Sequence, residues 1–204
     1  MLNHPLMPSL ALFDPFVEAI NRGVRVRFGG LARYTSALVP SVNMVVVAAR
    51  LPDAVSRYAV AHQLVHLELD ALSGLMGPAV GRNEERVEAM ACTSTARLLL
   101  PTNQLRKALM ESDQAEDVAE ILEVPVAALS RRVGELTPAE RAELHPMTHR
   151  LAWPSDWPHS FVCGRFETDA ELNAAAAATA GFNTLEDALA RRKADDEGLD
   201  ELVV

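Results

Sequence analysis

The sequence predicts an α+β fold: a small twisted β-sheet packed on one long helix, followed by a helical segment and a helical C-terminal extension. Three observations lead there. Val24-Arg25-Val26-Arg27-Phe28 alternates strictly between apolar and charged, as a half-buried strand does. Val45-Val46-Val47 is a β-branched run suited to a more buried strand. From Asp53 onward the apolar residues fall at helical spacing instead.

In chain order, residues 13–21 read as a short helix stopped at Arg22-Gly23. The strand at 24–28 follows, and Gly29-Gly30 turns the chain. A weaker strand is expected at 33–37, between the first strand and the one at 43–49. Asp53 is a plausible N-cap for a helix over 54–72, ending at Ser73-Gly74. Residues 74–83, with three glycines and a proline, read as a loop. A second long helix over 84–100 is stopped by Pro101, and a third is expected at 103–110. Residues 114–135 suggest two short helices broken near Val124-Pro125. Thr137-Pro138-Ala139-Glu140 is a strong helix start, with a threonine cap, proline at the first position and a capping-box glutamate. Residues 145–160 hold three prolines and both tryptophans and read as an irregular linker, anchored by Trp153, Trp157 and Phe161. Residues 168–171 and 184–187 resemble further capping boxes, the alanine-rich 173–180 reads as helix, and the acidic 193–204 is expected to fray.

Bulk composition narrows the function. The 204 residues suffice for one packed core plus an appendage, divided here as 1–104, a helical segment 105–145, and a linker with C-terminal extension 146–204. A net charge of -9 opposes binding to nucleic acid phosphates unless a local basic patch exists. Two cysteines, Cys92 and Cys163, are too few for a disulfide framework and suit a reducing cytoplasm. The N-terminal residues lack the pattern of a signal peptide, and no apolar run is long enough for a membrane span.

His62 and His66 are four apart in the first long helix. At about 100° per residue they stand about 40° apart on one face, one turn above the other. Two imidazoles so placed can hold one Zn²⁺ from the same side, with a third ligand from elsewhere and water in an open fourth position. Glu88 on the next helix is the candidate third ligand. The spacing alone is a weak signal, because one core and one surface histidine on an amphipathic helix would look the same.

The wider context is more specific. Tyr58-Ala59-Val60-Ala61-His62-Gln63-Leu64-Val65-His66-Leu67-Glu68 resembles the A-H-E-L-x-H-L pattern of the ImmA/IrrE metallo-endopeptidases. Glu88-Ala89 through Ala96-Arg97-Leu98-Leu99-Leu100-Pro101 resembles that family's second helix, which carries a glutamate ligand and ends in a leucine-rich segment and proline. The resemblance extends over roughly residues 20–145. It implies a zincin-like domain at 1–104, His62, His66 and Glu88 as zinc ligands, and a cytoplasmic regulatory protein of phage or mobile-element type. It further implies a protein partner such as a transcriptional repressor, its strand laid along the exposed sheet edge. Glu84 and Glu85, just upstream, leave room for the acidic ligand to slip by a turn. Cys92, one turn after Glu88, reads as a small buried residue rather than a ligand.

The departure from the pattern is Gln63, which stands where the family carries its catalytic glutamate. An amide can orient a water but cannot take its proton. General acid–base catalysis is worth roughly 10²–10⁴-fold, so hydrolysis is expected to be impaired or lost. A non-catalytic interaction protein with a vestigial metal site is the alternative. No neighbour is a convincing replacement base. Glu68 points away from the histidine face. Asp70 is placed to support a ligand histidine, and Tyr58 to donate to a bound oxyanion or to fill the core.

Two further motifs carry less. Residues 118–133 resemble a helix-turn-helix whose second helix brings Arg131 and Arg132. Asp117, Glu120, Glu123 and Glu135 surround them, so a packing subdomain or partner surface is the expected role. His145, His149 and His159 with Cys163 outline a second possible metal group, although Pro146 interrupts the first pair.

Overall fold

A computed structural model describes residues 12–31, 34–76, 84–156, 163–166, 168, 170–171 and 183–184. Among these, seven α-helices and a five-stranded mixed sheet form the α+β arrangement expected. The helices are α1 (Pro15–Asn21), α2 (Asp53–Met76), α3 (Glu84–Leu99), α4 (Thr102–Glu111), α5 (Ala115–Ile121), α6 (Val126–Gly134) and α7 (Pro138–Thr148). The strands are β1 (Arg25–Gly29), β2 (Ser36–Val39), β3 (Met44–Ala48), β4 (Cys163–Arg165) and β5 (Asn183–Thr184). No helix among the described residues is long and apolar enough to cross a membrane.

The sheet order is β4-β2-β3-β1-β5. β3 lies at the centre, parallel to β1 and antiparallel to β2. The weak strand expected at 33–37 runs instead over Ser36–Val39 and pairs with β3. Its four residues are all buried, which fits the two-sided burial of an inner strand. Asn43 makes the turn into β3 in the left-handed region at φ 48°, and its side-chain amide donates to the Gly23 carbonyl at 2.9 Å. Asparagine tolerates that conformation where most residues do not.

Side chains of β3 alternate between two cores. Val45 and Val47 pack with Ala59, Val60 and Leu64 of α2. Met44 and Val46 face the other way, with Leu31, Ala37 and Val39, and are covered in part by Tyr34 and Phe166. Each fully buried valine or leucine contributes roughly 1.5–3 kcal/mol of transfer free energy, so both layers matter. A third core joins Tyr58 and Ala61 of α2 to Leu99, Leu105, Leu129 and Leu144 of the helical half. The segment 105–145 therefore shares its core with α2 and α3.

α2 is sandwiched between sheet and helices, and every residue from Ser56 to Val65 is buried. It starts one residue earlier than expected: the Val55 and Ser56 amides bond to the Pro52 carbonyl, and Asp53 sits inside the first turn. It also runs through Ser73-Gly74 to Met76, since a single interior glycine costs a helix only about 1 kcal/mol. Residues 77–83 of the expected loop lie outside the described residues.

One correction concerns the C-terminal half. α7 has its capping box at Thr137 and Glu140 and continues through Pro146 to Thr148, so residues 145–148 are helical and not linker. His145 and His149 consequently share a face, with ring centroids 5.6 Å apart. Near 168, Thr168 Oγ1 accepts from the Glu171 amide as a cap would. Asn183–Thr184 pairs with β1 as β5, and residues 185–187 of the second expected capping box lie outside the described residues. Trp157, His159, Phe161, the alanine run 173–180 and the acidic end fall outside the described residues.

Arg132, on the second helix of the helix-turn-helix-like segment, is 3% exposed. Its guanidinium bonds to the Leu100 carbonyl at 2.9 Å, to Thr102 Oγ1 at 3.1 Å, and to the partly exposed Glu140 in an ion pair. Arg131 pairs with Glu135 at 3.1 Å. The helix-turn-helix-like segment therefore turns Arg132 inward as a tie between α3, α4 and α7.

Candidate metal centre

His62 and Gln63 lie in the most enclosed part of α2, at 0% and 1% exposure. Buried polar side chains of this kind need partners, and each has one. His62 Nε2 is 3.2 Å from Glu88 Oε1, and His66 Nε2 is 3.0 Å from Glu88 Oε2. The two Nε2 atoms are themselves 3.0 Å apart. Both imidazoles thus aim the same nitrogen at one point, and the carboxylate of α3 spans them. Tetrahedral coordination with bonds of about 2.0–2.2 Å sets ligand atoms about 3.3–3.6 Å apart, so this donor set fits a divalent ion with little movement. Glu85 is exposed, so the one-turn slip upstream does not place it here.

A fourth group joins them. Cys163 Sγ lies with His62, His66 and Glu88 in a cluster whose ligand atoms are all within 4.8 Å of one another. Cys163 enters on β4, which pairs with β2 in parallel, in the register Ser36↔Cys163, Ala37↔Gly164 and Leu38↔Arg165. Sequence reading set Cys163 beside the histidines of the linker; the structure sends it to the first site instead. No local spacing could have shown this, because Cys163 reaches Ser36 across 127 positions of chain. Its only sequence signal was chemical, one of two thiols in the chain.

Burial pulls His62 below its ordinary pKa against the raising effect of Glu88, which leaves the ring neutral and ready to coordinate. Burial alone would raise the Glu88 carboxyl, but its hydrogen bonds to His62 and His66 outweigh that and hold it well below the usual carboxylate range. Burial and the Glu88 charge push the Cys163 thiol up. A bound cation reverses that sign, since a coordinating thiol is deprotonated outright.

The surrounding residues are ordered in two chains. On one side Tyr58 stacks on His62 with centroids 5.9 Å apart and shares a hydrogen bond with Cys92. Cys92 in turn donates to Glu88 Oε1 at 3.6 Å. Tyr58 is buried, its phenol pushed upward by that burial, and it supports the Glu88 carboxylate through Cys92. On the other side Gln63 Nε2 donates to Ser36 Oγ at 2.8 Å, and Ser36 Oγ lies 4.0 Å from Cys163 Sγ. Asp70 does not reach a histidine. It binds Arg165 of β4 at 2.5 Å, so the residue expected to steady a ligand instead fastens the C-terminal strand to α2. Glu68 faces away as expected, paired with Arg22 at 2.5 Å. β4 lies beside β2 and β5 beside β1, so these two short strands form the edges of the sheet.

Paired imidazoles one turn apart on a sheet-backed helix, with a carboxylate meeting them from the helix that follows, define a metallopeptidase fold of the zincin kind. The comparison with protein families agrees and goes further. Residues 20–133 match the peptidase family M78 profile, described as the IrrE N-terminal-like domain, and the chain belongs to that family. A search among curated proteins found no match.

Proposed function

We propose that this protein is a zinc-binding member of the ImmA/IrrE group that engages a polypeptide, such as a transcriptional repressor, in the cytoplasm with hydrolysis impaired or lost. The observation that carries this reading is the pairing of a complete donor set with an altered base position. His62, His66 and Glu88 converge within 3.0–3.2 Å, while the Gln63 amide donates to Ser36 and has no proton-accepting carboxylate to offer. Zinc held there would supply Lewis acidity toward a peptide carbonyl and a lowered pKa for a coordinated water. The residues themselves hold the site rigid: Glu88 is anchored through Cys92 and Tyr58, and Gln63 through Ser36. Arg132 sits inside the core and Arg131 is neutralised by Glu135, which supports a protein partner over nucleic acid. The reading also covers a regulatory role in phage or mobile elements, supported by the family resemblance.

Metal analysis of the purified protein tests this. The expected result is about one zinc per chain, lost from His62→Ala. Zinc at a thousand times its Kd should add about 4 kcal/mol of stability, reversed by a chelator. Folded wild type that takes up no zinc would leave only the second reading, an interaction module with a vestigial site.

A further inference from the structure

We propose that β4 seals the metal centre from within the chain, with Cys163 Sγ as the fourth ligand of the ion. This rests on the metal-site reading above and goes beyond it by filling the position that a zinc hydrolase leaves open for water.

Four observations place the thiol there. Cys163 Sγ shares a cluster within 4.8 Å with His62, His66 and Glu88. Its strand is hydrogen-bonded along β2, and the Phe166 amide extends the pairing to the Leu38 carbonyl at 3.0 Å. Arg165 is clamped to Asp70 one turn beyond His66. Gly164 lies so close under the Tyr34 ring that a Cβ there would meet ring carbons at 3.0 Å, and Phe166 meets the same ring edge-on at 5.9 Å. The residues that follow the cysteine are therefore fitted to their groove.

The chemistry of Gln63 then has a reason. Its amide N–H donates to Ser36 Oγ, which frees the Ser36 hydroxyl to donate toward Cys163 Sγ. A glutamate at position 63 would instead accept the Ser36 proton and turn that donor away from sulfur. The altered base and the incoming thiol are two parts of one arrangement. Two neutral imidazoles, one carboxylate and one thiolate also balance a divalent cation in charge. On coordination the metal–sulfur bond forms, the thiol proton leaves to solvent, and any bound water is displaced. An extended peptide approaching beside β2 would need the same backbone positions that Cys163–Arg165 hold, so access requires β4 to lift away.

Zinc K-edge X-ray absorption on the full chain tests the proposal, with zinc content measured on the same samples. Wild type should show one sulfur at about 2.3 Å. Cys163→Ala should show nitrogen and oxygen only, and Cys92→Ser should retain the sulfur. Alkylation mapped by mass spectrometry should find Cys163 protected in the zinc form and reactive after chelation. A zinc-loaded wild type with no sulfur in its shell, or sulfur that persists in Cys163→Ala, overturns the fourth ligand and leaves the three-residue site standing. Wild type without zinc overturns both readings together.

Discussion

Zinc-loaded Gln63→Glu is expected to remain as inert toward peptides as the wild type, whereas Gln63→Glu combined with Cys163→Ala is expected to cleave them. The size of the gain follows from general acid–base catalysis, roughly 10²–10⁴-fold over either single variant. A carboxylate at position 63 can act only on a water held between it and the metal. While Cys163 Sγ fills that place, restoring the base restores nothing. Cys163→Ala alone opens the position but leaves the Gln63 amide, which positions a water without deprotonating it. Turnover of an unstructured protein substrate by the three variants and wild type reads all four cases. Robust cleavage by Gln63→Glu alone would show that β4 does not block the site. Robust cleavage by wild type would remove the impaired base itself.

The largest stability effect is expected at Glu140. Its carboxylate pairs with the buried Arg132, accepts from Thr102 Oγ1 at 2.6 Å, and closes the capping box on the Thr137 amide at 2.9 Å. Removing it strands a guanidinium that is 3% exposed. Breaking a buried pair from one side costs about 3–5 kcal/mol, and the lower end applies here because Glu140 is partly exposed and Arg132 keeps its bonds to Leu100 and Thr102. For a chain of this length that lowers Tm by on the order of 10 °C. The hydrogen bonds from Arg132, then those from Thr102 and Thr137, hold the Glu140 carboxyl well below the usual range. The stability it supplies is thus complete above the ordinary glutamate value of about 4.3 and drains away as pH falls toward the depressed folded value. Thermal melts from neutral pH into acid should show Glu140→Ala destabilised throughout, and Glu140→Gln with a shallower acid loss than wild type. Equal acid slopes in wild type and Glu140→Gln would contradict the assignment.

What could be read from sequence was whatever depends on neighbours along the chain. The His62–His66 pair needed only the helical repeat, and Glu88 needed only its place ahead of the leucine-rich stop at Pro101. The capping box at Thr137 was legible because its two partners are three residues apart. β2 was displaced by a few positions because its residues are buried on both faces and show no alternation. Pro146 misled in the other direction: α7 is already established when it reaches that proline and carries on to Thr148. The inward turn of Arg132 left no mark in the sequence because its partners Leu100, Thr102 and Glu140 come from other elements. Asp70 was expected to serve a histidine, but its partner Arg165 arrives from the far end of the chain. Cys163 was hidden for the same reason, since β-pairing between remote segments leaves no periodic trace.

The central claim is that two imidazoles of α2 and the carboxylate of α3 hold one divalent ion. Anomalous diffraction at the zinc edge, from crystals of the zinc-loaded full chain, tests it most directly. The account predicts a single strong peak about 2.0–2.2 Å from His62 Nε2, His66 Nε2 and a Glu88 oxygen. A peak elsewhere, or a zinc-loaded crystal in which Glu88 is turned to solvent, would contradict it.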